Sequence, residues 1–349
     1  MKIALIIYGS LDTTSGGYLY DRKLVESLKR RGDQIEIISL PWRAYAARLT
    51  DNFYFRLTPG FDIIIEDELN HPSLLSANAG RHPCPALSLV HNLHALERRP
   101  AWQNRVYRII ERKYLSSVDG FIFNSNTTRN AVQALIGGQR PFVVANPPTD
   151  RFGSPLAPEQ IRLRANQPDP LRLIFLGNVI PLKGCHVLLR AIRDKRLAVS
   201  LDVVGSLELD VPYVEKMKRF VIEQQLSAAV RFHGILDNQP LRDRLEYAQV
   251  MVIPSAYEGF GIAYLEGMGF GLPAIATTSG AASEFIIDGE NGYLVPPENA
   301  PALAERLGTL GCDRALLAQM SMNALRHYHS RPSWEETVDR IRDFLVQMI

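Results

Sequence analysis

The sequence predicts an α/β protein made of two successive, mainly parallel sheets, each covered by helices. Three observations carry this. Runs of strand length, rich in Val, Ile and Leu, alternate with longer amphipathic stretches, as sheets buried on both faces require. The alternation breaks once, at a proline-rich stretch, and then resumes. The chain has 349 residues, enough for two domains of roughly 150 residues each.

The first half supplies strands at 2–8, 34–40, 62–66, 86–91, 120–124 and 142–146. Between them lie helical patterns such as 18–31, 102–117 and 127–136. Asn146-Pro147-Pro148-Thr149-Asp150 opens the break, which runs to Pro170 and sets a boundary between domains 1–149 and 150–349. The second alternation has strands at 171–176, 199–204, 230–233, 250–254 and 273–277. The last helix, 334–348, follows Pro332; it packs outside the second domain or crosses back to the first. In open α/β sheets the ligand crevice lies at the carboxyl ends of the strands. Two such crevices facing each other would hold a bipartite ligand.

Composition excludes several classes. A net charge of +2 is no signature of nucleic-acid binding. Residues 1–150 carry 18 Lys and Arg against 14 Asp and Glu, from totals of 39 and 37, so the modest basic excess lies in the first half. No run approaches the roughly 18 apolar residues of a membrane span. The apolar start, 2–8, lacks a small-residue cleavage site and reads as a strand. Cys84, Cys185 and Cys312 have neither zinc nor disulfide spacing, which suits a reducing cytoplasm.

The richest segment is 254–268. A strand ends at Pro254, a glycine-bearing turn follows, and a helix opens near Gly261. Backbone N–H groups and the positive helix end then face the crevice and favour an anion. Glu258 in the turn and Glu266 in the helix can reach different parts of one ligand. Alone, each would be read as a solvated glutamate. Gly259, Gly261, Gly267, Gly269 and Gly271 argue otherwise, because helical glycine costs about 1 kcal/mol and points to close backbone approach.

Glu258 to Glu266 resembles the E-x7-E motif of the retaining glycosyltransferases of family four, which have the GT-B fold of two Rossmann-like domains facing across a cleft. The resemblance continues through 271–277, Gly280, Glu284 and 291–295. It implies that Glu258 contacts the donor sugar, that Glu266 binds the ribose diol, and that the backbone of Phe260, Gly261 and Ile262 meets sugar and phosphates. Gly177-Asn178-Val179-Ile180-Pro181-Leu182-Lys183-Gly184 places a lysine beside glycines at a strand end, which suits a diphosphate. It is similar to the family's phosphate segment, with Asn178 where arginine is usual, so Lys183 becomes the main cation. The loop 10–17, with Gly16 and Gly17 before a helix, is not G-x-G-x-x-G and argues against a dinucleotide dehydrogenase. It resembles the family's loop over the donor phosphates; a plain helix cap on Ser15 or Gly16 is the simpler reading.

His91 ends a buried strand, where the family has its active-site histidine; His94 ranks below it. Arg129, in 124–129, resembles the family's S-x3-R segment and is placed to face the diphosphate or to cap local carbonyls. Glu66-Asp67-Glu68 has the look of a metal motif but is read as strand-end and loop carboxylates on the acceptor side. No metal or cofactor is expected, since helix dipoles and basic side chains can neutralise a leaving diphosphate. The resemblance therefore implies a hexosyl transfer from a nucleoside-diphosphate sugar to a glycan, lipid-linked or small-molecule acceptor. The competing readings are a non-catalytic nucleotide-sugar-binding subunit and a sugar-nucleotide epimerase.

The stretch 98–113 carries Arg98, Arg99, Arg105, Arg108, Arg112 and Lys113, with Trp102, Val106, Ile109 and Ile110 as an apolar stripe. Such a helix can lie on an anionic membrane. The simpler expectation is a core-facing helix with a solvated basic face.

Overall fold

In this computed structural model the described residues are all of 1–349 except Thr14, Arg81, Arg98, Thr149, Asp169 and Arg196, and the side chains of Asp150 and Lys195 are likewise left aside. The chain forms two compact units, Met1–Pro148 with Pro332–Ile349, and Thr149–Arg331.

The first unit contains strands β1 (Lys2–Tyr8), β2 (Gln34–Leu40), β3 (Ile63–Asp67), β4 (Ala86–Val90), β5 (Gly120–Phe123) and β6 (Phe142–Val144). Its helices are α1 (Gly16–Arg30), α2 (Tyr45–Arg48), α3 (His71–Leu74), α4 (Ala101–Leu115) and α5 (Asn126–Ile136). The second has β7 (Leu171–Leu176), β8 (Val199–Val204), β9 (Val230–Gly234), β10 (Val250–Val252), β11 (Ala274–Thr277) and β12 (Gly292–Val295). Around it lie α6 (Pro158–Ala165), α7 (Cys185–Lys195), α8 (Val211–Glu223), α9 (Asn238–Tyr247), α10 (Ile262–Gly269), α11 (Ala300–Cys312) and α12 (Arg314–His329). The last helix, α13 (Trp334–Met348), belongs to the first unit.

Both sheets are wholly parallel, with orders β2-β1-β3-β4-β5-β6 and β12-β11-β10-β7-β8-β9. Each order reverses once, between β1 and β3 and between β7 and β10. Crevices that accept ligands form where strand order reverses. Strand β1 shows how the first sheet is buried on both faces. Ile3, Leu5 and Ile7 enter one cluster with α1 and α13, while Ala4, Ile6 and Tyr8 enter another that includes Tyr114 and Val132. Trp334, Val338, Ile341, Phe344 and Leu345 complete the first cluster, which is why α13 returns to this sheet. Arg31–Asp339 and Arg342–Asp33 ion pairs and a Thr337 hydroxyl donating to the Asn146 carbonyl fix it there.

Candidate functional site

In the second unit the reversal point lies between the ends of β7 and β10, and their two loops are fastened together. The Ala256 amide donates to the Leu182 carbonyl at 2.8 Å. Gly184, at φ +72°, lies so close that a Cβ there would stand 2.1 Å from the Pro254 carbonyl oxygen. This fastening brings Lys183 to Glu258: Nζ donates to Oε2 at 2.7 Å, and the Ser255 hydroxyl donates to the same oxygen at 3.2 Å. Sequence reasoning gave these two residues separate duties; the structure makes them an ion pair. Asn178 accepts the Ser206 amide at 3.4 Å through Oδ1, so its side-chain oxygen is spent on the neighbouring loop.

Gly261 caps α10 at φ +95°, where a Cβ would meet the Tyr264 ring at 2.6 Å. Only glycine fits, and the amides of the first turn of α10 are left without a side-chain cap. Ile262 opens that turn half-buried, whereas the Phe260 side chain is buried against Phe285, so any ligand contact at Phe260 falls to its backbone. Glu266 is only 4% exposed. Burial raises its pKa, and Arg151, at 3.5 Å, offsets this only in part. The other glycines of α10 approach the protein itself: a Cβ at Gly267 would strike Met251, at Gly269 Tyr328, and at Gly271 Ile161. The inference of close approach was sound, but its object there is the core.

In the first unit His91 follows β4 and its Nε2 donates to Asp21 Oδ1 at 2.8 Å. Asp21 is fully buried on α1, and Asp67, at the end of β3, lies in the same group. Burial alone would lower the His91 pKa, but Asp21, Asp67 and Glu68 outweigh it and the imidazole is held above its ordinary value. Gly17 makes room for the ring, since a Cβ there would stand 3.2 Å from His91 Cδ2. Gly16 opens α1, and Ser15 supplies the cap by accepting the Tyr18 amide, so the simple capping reading holds; Thr14 of this loop lies outside the described residues.

Three expectations need correction. Glu66 and Asp67 end β3 and Glu68 follows it, as expected of strand-end and loop carboxylates, but all three are buried because β3 is a central strand. Glu68 joins His71 and Glu111 in a second buried group, where burial pushes Glu111 up to about 8 and His71 down to about 4. Arg129 is bonded to no backbone carbonyl among the described residues: its guanidinium donates to Asn130 Oδ1 and lies over Phe142, the first residue of edge strand β6. His94 is structural, stacked on Tyr45, with its amide donating to Glu111.

The largest correction concerns α4. Its packed residues are Glu111, Tyr114 and Leu115, Ile110 is half-buried, and the rest of the apolar stripe faces solvent: Trp102 is 67%, Val106 45% and Ile109 63% exposed. Glu111 accepts the amides of His94 and Ala95, which fixes the rotation of the helix. Ile109, two residues back, is then about 200° round the axis. Arg98 lies outside the described residues.

Sequence reasoning also missed Asp21 and Arg151. Asp21 could have been found, since it shares the helical face of Tyr18, Val25 and Leu28 and is charged at a core position. Arg151 gives no local signal.

The second unit thus has a doubly wound sheet with a Lys183–Glu258 ion pair at its reversal point. Residues 158–327 match the family model of glycosyl transferases group 1. The chain is 30% identical over 256 residues to a D-inositol 3-phosphate glycosyltransferase of Corynebacterium jeikeium, covering 69% of this chain and 60% of that one. It is 29% identical over 236 residues to a GDP-mannose-dependent alpha-(1-6)-phosphatidylinositol monomannoside mannosyltransferase of Mycolicibacterium smegmatis, covering 64% and 60%. Across such relatives the chain spans 41 to 66% of the other protein's length. The fold is GT-B. It is shared with sucrose-phosphate synthase from Thermosynechococcus elongatus, at a TM-score of 0.83 and 20% identity over 99% of this chain and 98% of that one. Anabaena HepE, solved with UDP and glucose, has a TM-score of 0.75 at 19% identity over 99% of both chains.

Proposed function

We propose that the protein is a retaining, metal-independent hexosyltransferase using a nucleoside-diphosphate sugar. The observation that carries this is the Lys183–Glu258 pair at the reversal point of the second sheet, followed by the uncapped start of α10 and the buried Glu266. The ribose diol is assigned to Glu266, the diphosphate to Lys183 and the first amides of α10, and the hexose to Glu258. Asn178 adds a polar neighbour to the diphosphate. In the free protein Glu258 holds Lys183 in place; an arriving diphosphate competes for the same ammonium. The leaving diphosphate is then stabilised by groups already oriented, without a metal. The acceptor is assigned to the first unit beside His91, whose Nε2 link to Asp21 orients the ring and leaves Nδ1 for the ligand. Front-side attack with the leaving phosphate taking the acceptor proton gives retention, which matches the lack of a covalent nucleophile in this reading.

No helix among the described residues is long and apolar enough to cross a membrane. The exposed row of Trp102, Val106 and Ile109 beside Arg105, Arg108, Arg112 and Lys113 supports a peripheral contact with an anionic membrane from the cytoplasmic side. Sedimentation with anionic vesicles, reversed by salt, tests that contact.

The activity is tested by incubating the protein with a panel of nucleoside-diphosphate sugars in chelator and reading the anomeric configuration of the product by NMR. Transfer with the donor's configuration supports the reading. An inverted product, or activity abolished by chelator and restored by a divalent ion, contradicts it. Donor binding with neither transfer nor hydrolysis would favour a non-catalytic subunit.

A further inference from the structure

Glu266 is buried on α10, yet its carboxylate is poorly partnered. Among the described residues its one hydrogen-bond partner is Arg151, whose Nη1 stands 3.5 Å from Oε1. Charge-assisted bonds to a carboxylate are ordinarily about 2.7–2.9 Å long. The contact therefore supplies charge and leaves the lone pairs of the carboxylate largely unspent. Arg151 itself is well anchored. Nε and Nη2 both donate to Asn238 Oδ1, at 3.1 and 2.9 Å, and Asn238 is the first residue of α9. The guanidinium lies over the Phe152 ring at 4.9 Å. Phe152 packs edge-on against Phe270 at 5.6 Å, and its carbonyl accepts from Arg242. The Leu156 amide donates to the Gly269 carbonyl at 3.1 Å, so the segment carrying Arg151 is fastened to the end of the helix carrying Glu266. The Arg151 side chain is still 31% exposed, which leaves the pair open to a ligand arriving from solvent.

From this geometry, and resting on the assignment of the ribose to Glu266, we infer that Arg151 is a positioning residue of the nucleotide site: its fixed charge holds the Glu266 carboxylate as the acceptor of both ribose hydroxyls. A diol presents two donors, which an ionised carboxylate can accept together; a protonated carboxyl has lost part of that capacity. Burial favours the protonated form of Glu266, and Arg151 acts against it. The elements around α10 bring no other charge to bear on Glu266 among the described residues. An ion pair that served stability alone would be closer and would set the two prongs of the guanidinium on the carboxylate. Here the Nε–Nη2 edge is spent on Asn238, and Glu266 receives Nη1 at the limit of bonding distance. With two of its three nitrogens committed to Asn238, Arg151 acts on the ligand through Glu266 and not as a phosphate clamp.

The test is calorimetric titration of the full chain with UDP, GDP and ADP, each beside its 2′-deoxy counterpart, at pH 6 and pH 8. The ratio of the two affinities cancels the titration of the phosphates and reads the ribose contact alone. Wild type is expected to prefer the ribonucleotide about tenfold or more at both pH values, as one hydrogen bond to a charged group requires. In Arg151→Ala the preference should fall below about threefold at pH 6, where Glu266 takes up a proton, and recover at pH 8. Arg151→Lys keeps the charge and should keep the preference; Arg151→Gln should lose it as alanine does. In a Glu266→Gln background, Arg151→Ala should change neither affinity by more than about twofold. A wild-type preference in Arg151→Ala at pH 6 would overturn the inference. Parallel loss of both nucleotides with the preference intact would overturn it too, since Arg151 would then serve the phosphates or the fold. Wild type that binds no nucleoside diphosphate, or binds the ribose and deoxyribose forms equally, would sink the assignment of Glu266 itself and the inference with it.

Discussion

At the scale of single residues, the chemistry turns on two pairs whose members sit far apart in sequence. Gly17 and His91 are one. A methyl group on Gly17 would press on the His91 ring at 3.2 Å, tighter than ordinary contact, and move it against Asp21. Gly17→Ala is therefore expected to lower kcat at least tenfold with nucleoside-diphosphate affinity unchanged, as read by steady-state kinetics beside calorimetry. A variant with wild-type kcat would remove His91 from the acceptor side. Lys183 and Glu258 are the other. Lys183→Ala deletes the cation assigned to the diphosphate and also leaves Glu258 without its ammonium partner. Charged hydrogen bonds contribute about 1.5–3 kcal/mol, so a tenfold to hundredfold loss of nucleoside-diphosphate affinity is expected. Activity within twofold of wild type would mean that another group neutralises the leaving diphosphate.

Elements were largely legible in the sequence, and the failures have physical causes. Strands such as Lys2–Tyr8 and Gly120–Phe123 announce themselves because sheets covered on both faces need apolar runs. β12 was read only as part of a motif, since its four residues, Gly292–Val295, are too short to show a period. The turn-and-helix carrying Glu258 and Glu266 was found through its glycines, and Gly280 shows how tightly that turn is held: a Cβ there would lie 2.1 Å from the Glu258 carbonyl oxygen. The orientation of α4 was misread because its apolar stripe outweighs its core face in composition. The side that packs includes an acidic residue, Glu111, whose burial is satisfied by backbone amides from the loop just before the helix. Periodicity counts apolar residues, so it cannot register a core face anchored by a carboxylate. The resting contacts of Arg129 were not legible for a related reason. A motif fixes a position on a helix, but the side chain settles on Asn130 and Phe142, a preference set by the edge strand.

The whole molecule carries an acid-linked stability in its first unit. Burial pushes Glu111 up to about 8 and Glu66 up to about 7, against 4.5 for a free glutamate. The folded unit thus holds protons that the unfolded chain has released, and its stability falls as pH rises towards those values. The raised His91 acts in the same direction. His71, held down to about 4, opposes them only below its ordinary value of 6.5. From pH 6.5 to 8 the contributions share one sign, and each fully shifted group contributes at most about 1.4 kcal/mol per pH unit. Urea unfolding followed at pH 6.5 and 8 should show a lower midpoint at pH 8, and Glu111→Gln should flatten the difference. A higher midpoint at pH 8 would mean that these carboxylates are ionised in the fold.

The proposed seat of the nucleoside diphosphate is the second unit, with Glu266 on the ribose. The direct measurement is calorimetric titration of wild type and Glu266→Ala with UDP, GDP and ADP. The prediction is saturable binding of at least one of them by wild type, weakened tenfold to a hundredfold in the variant, as loss of a charged acceptor worth about 1.5–3 kcal/mol requires. No binding by any of the three, or equal affinity in wild type and a folded Glu266→Ala, would contradict it.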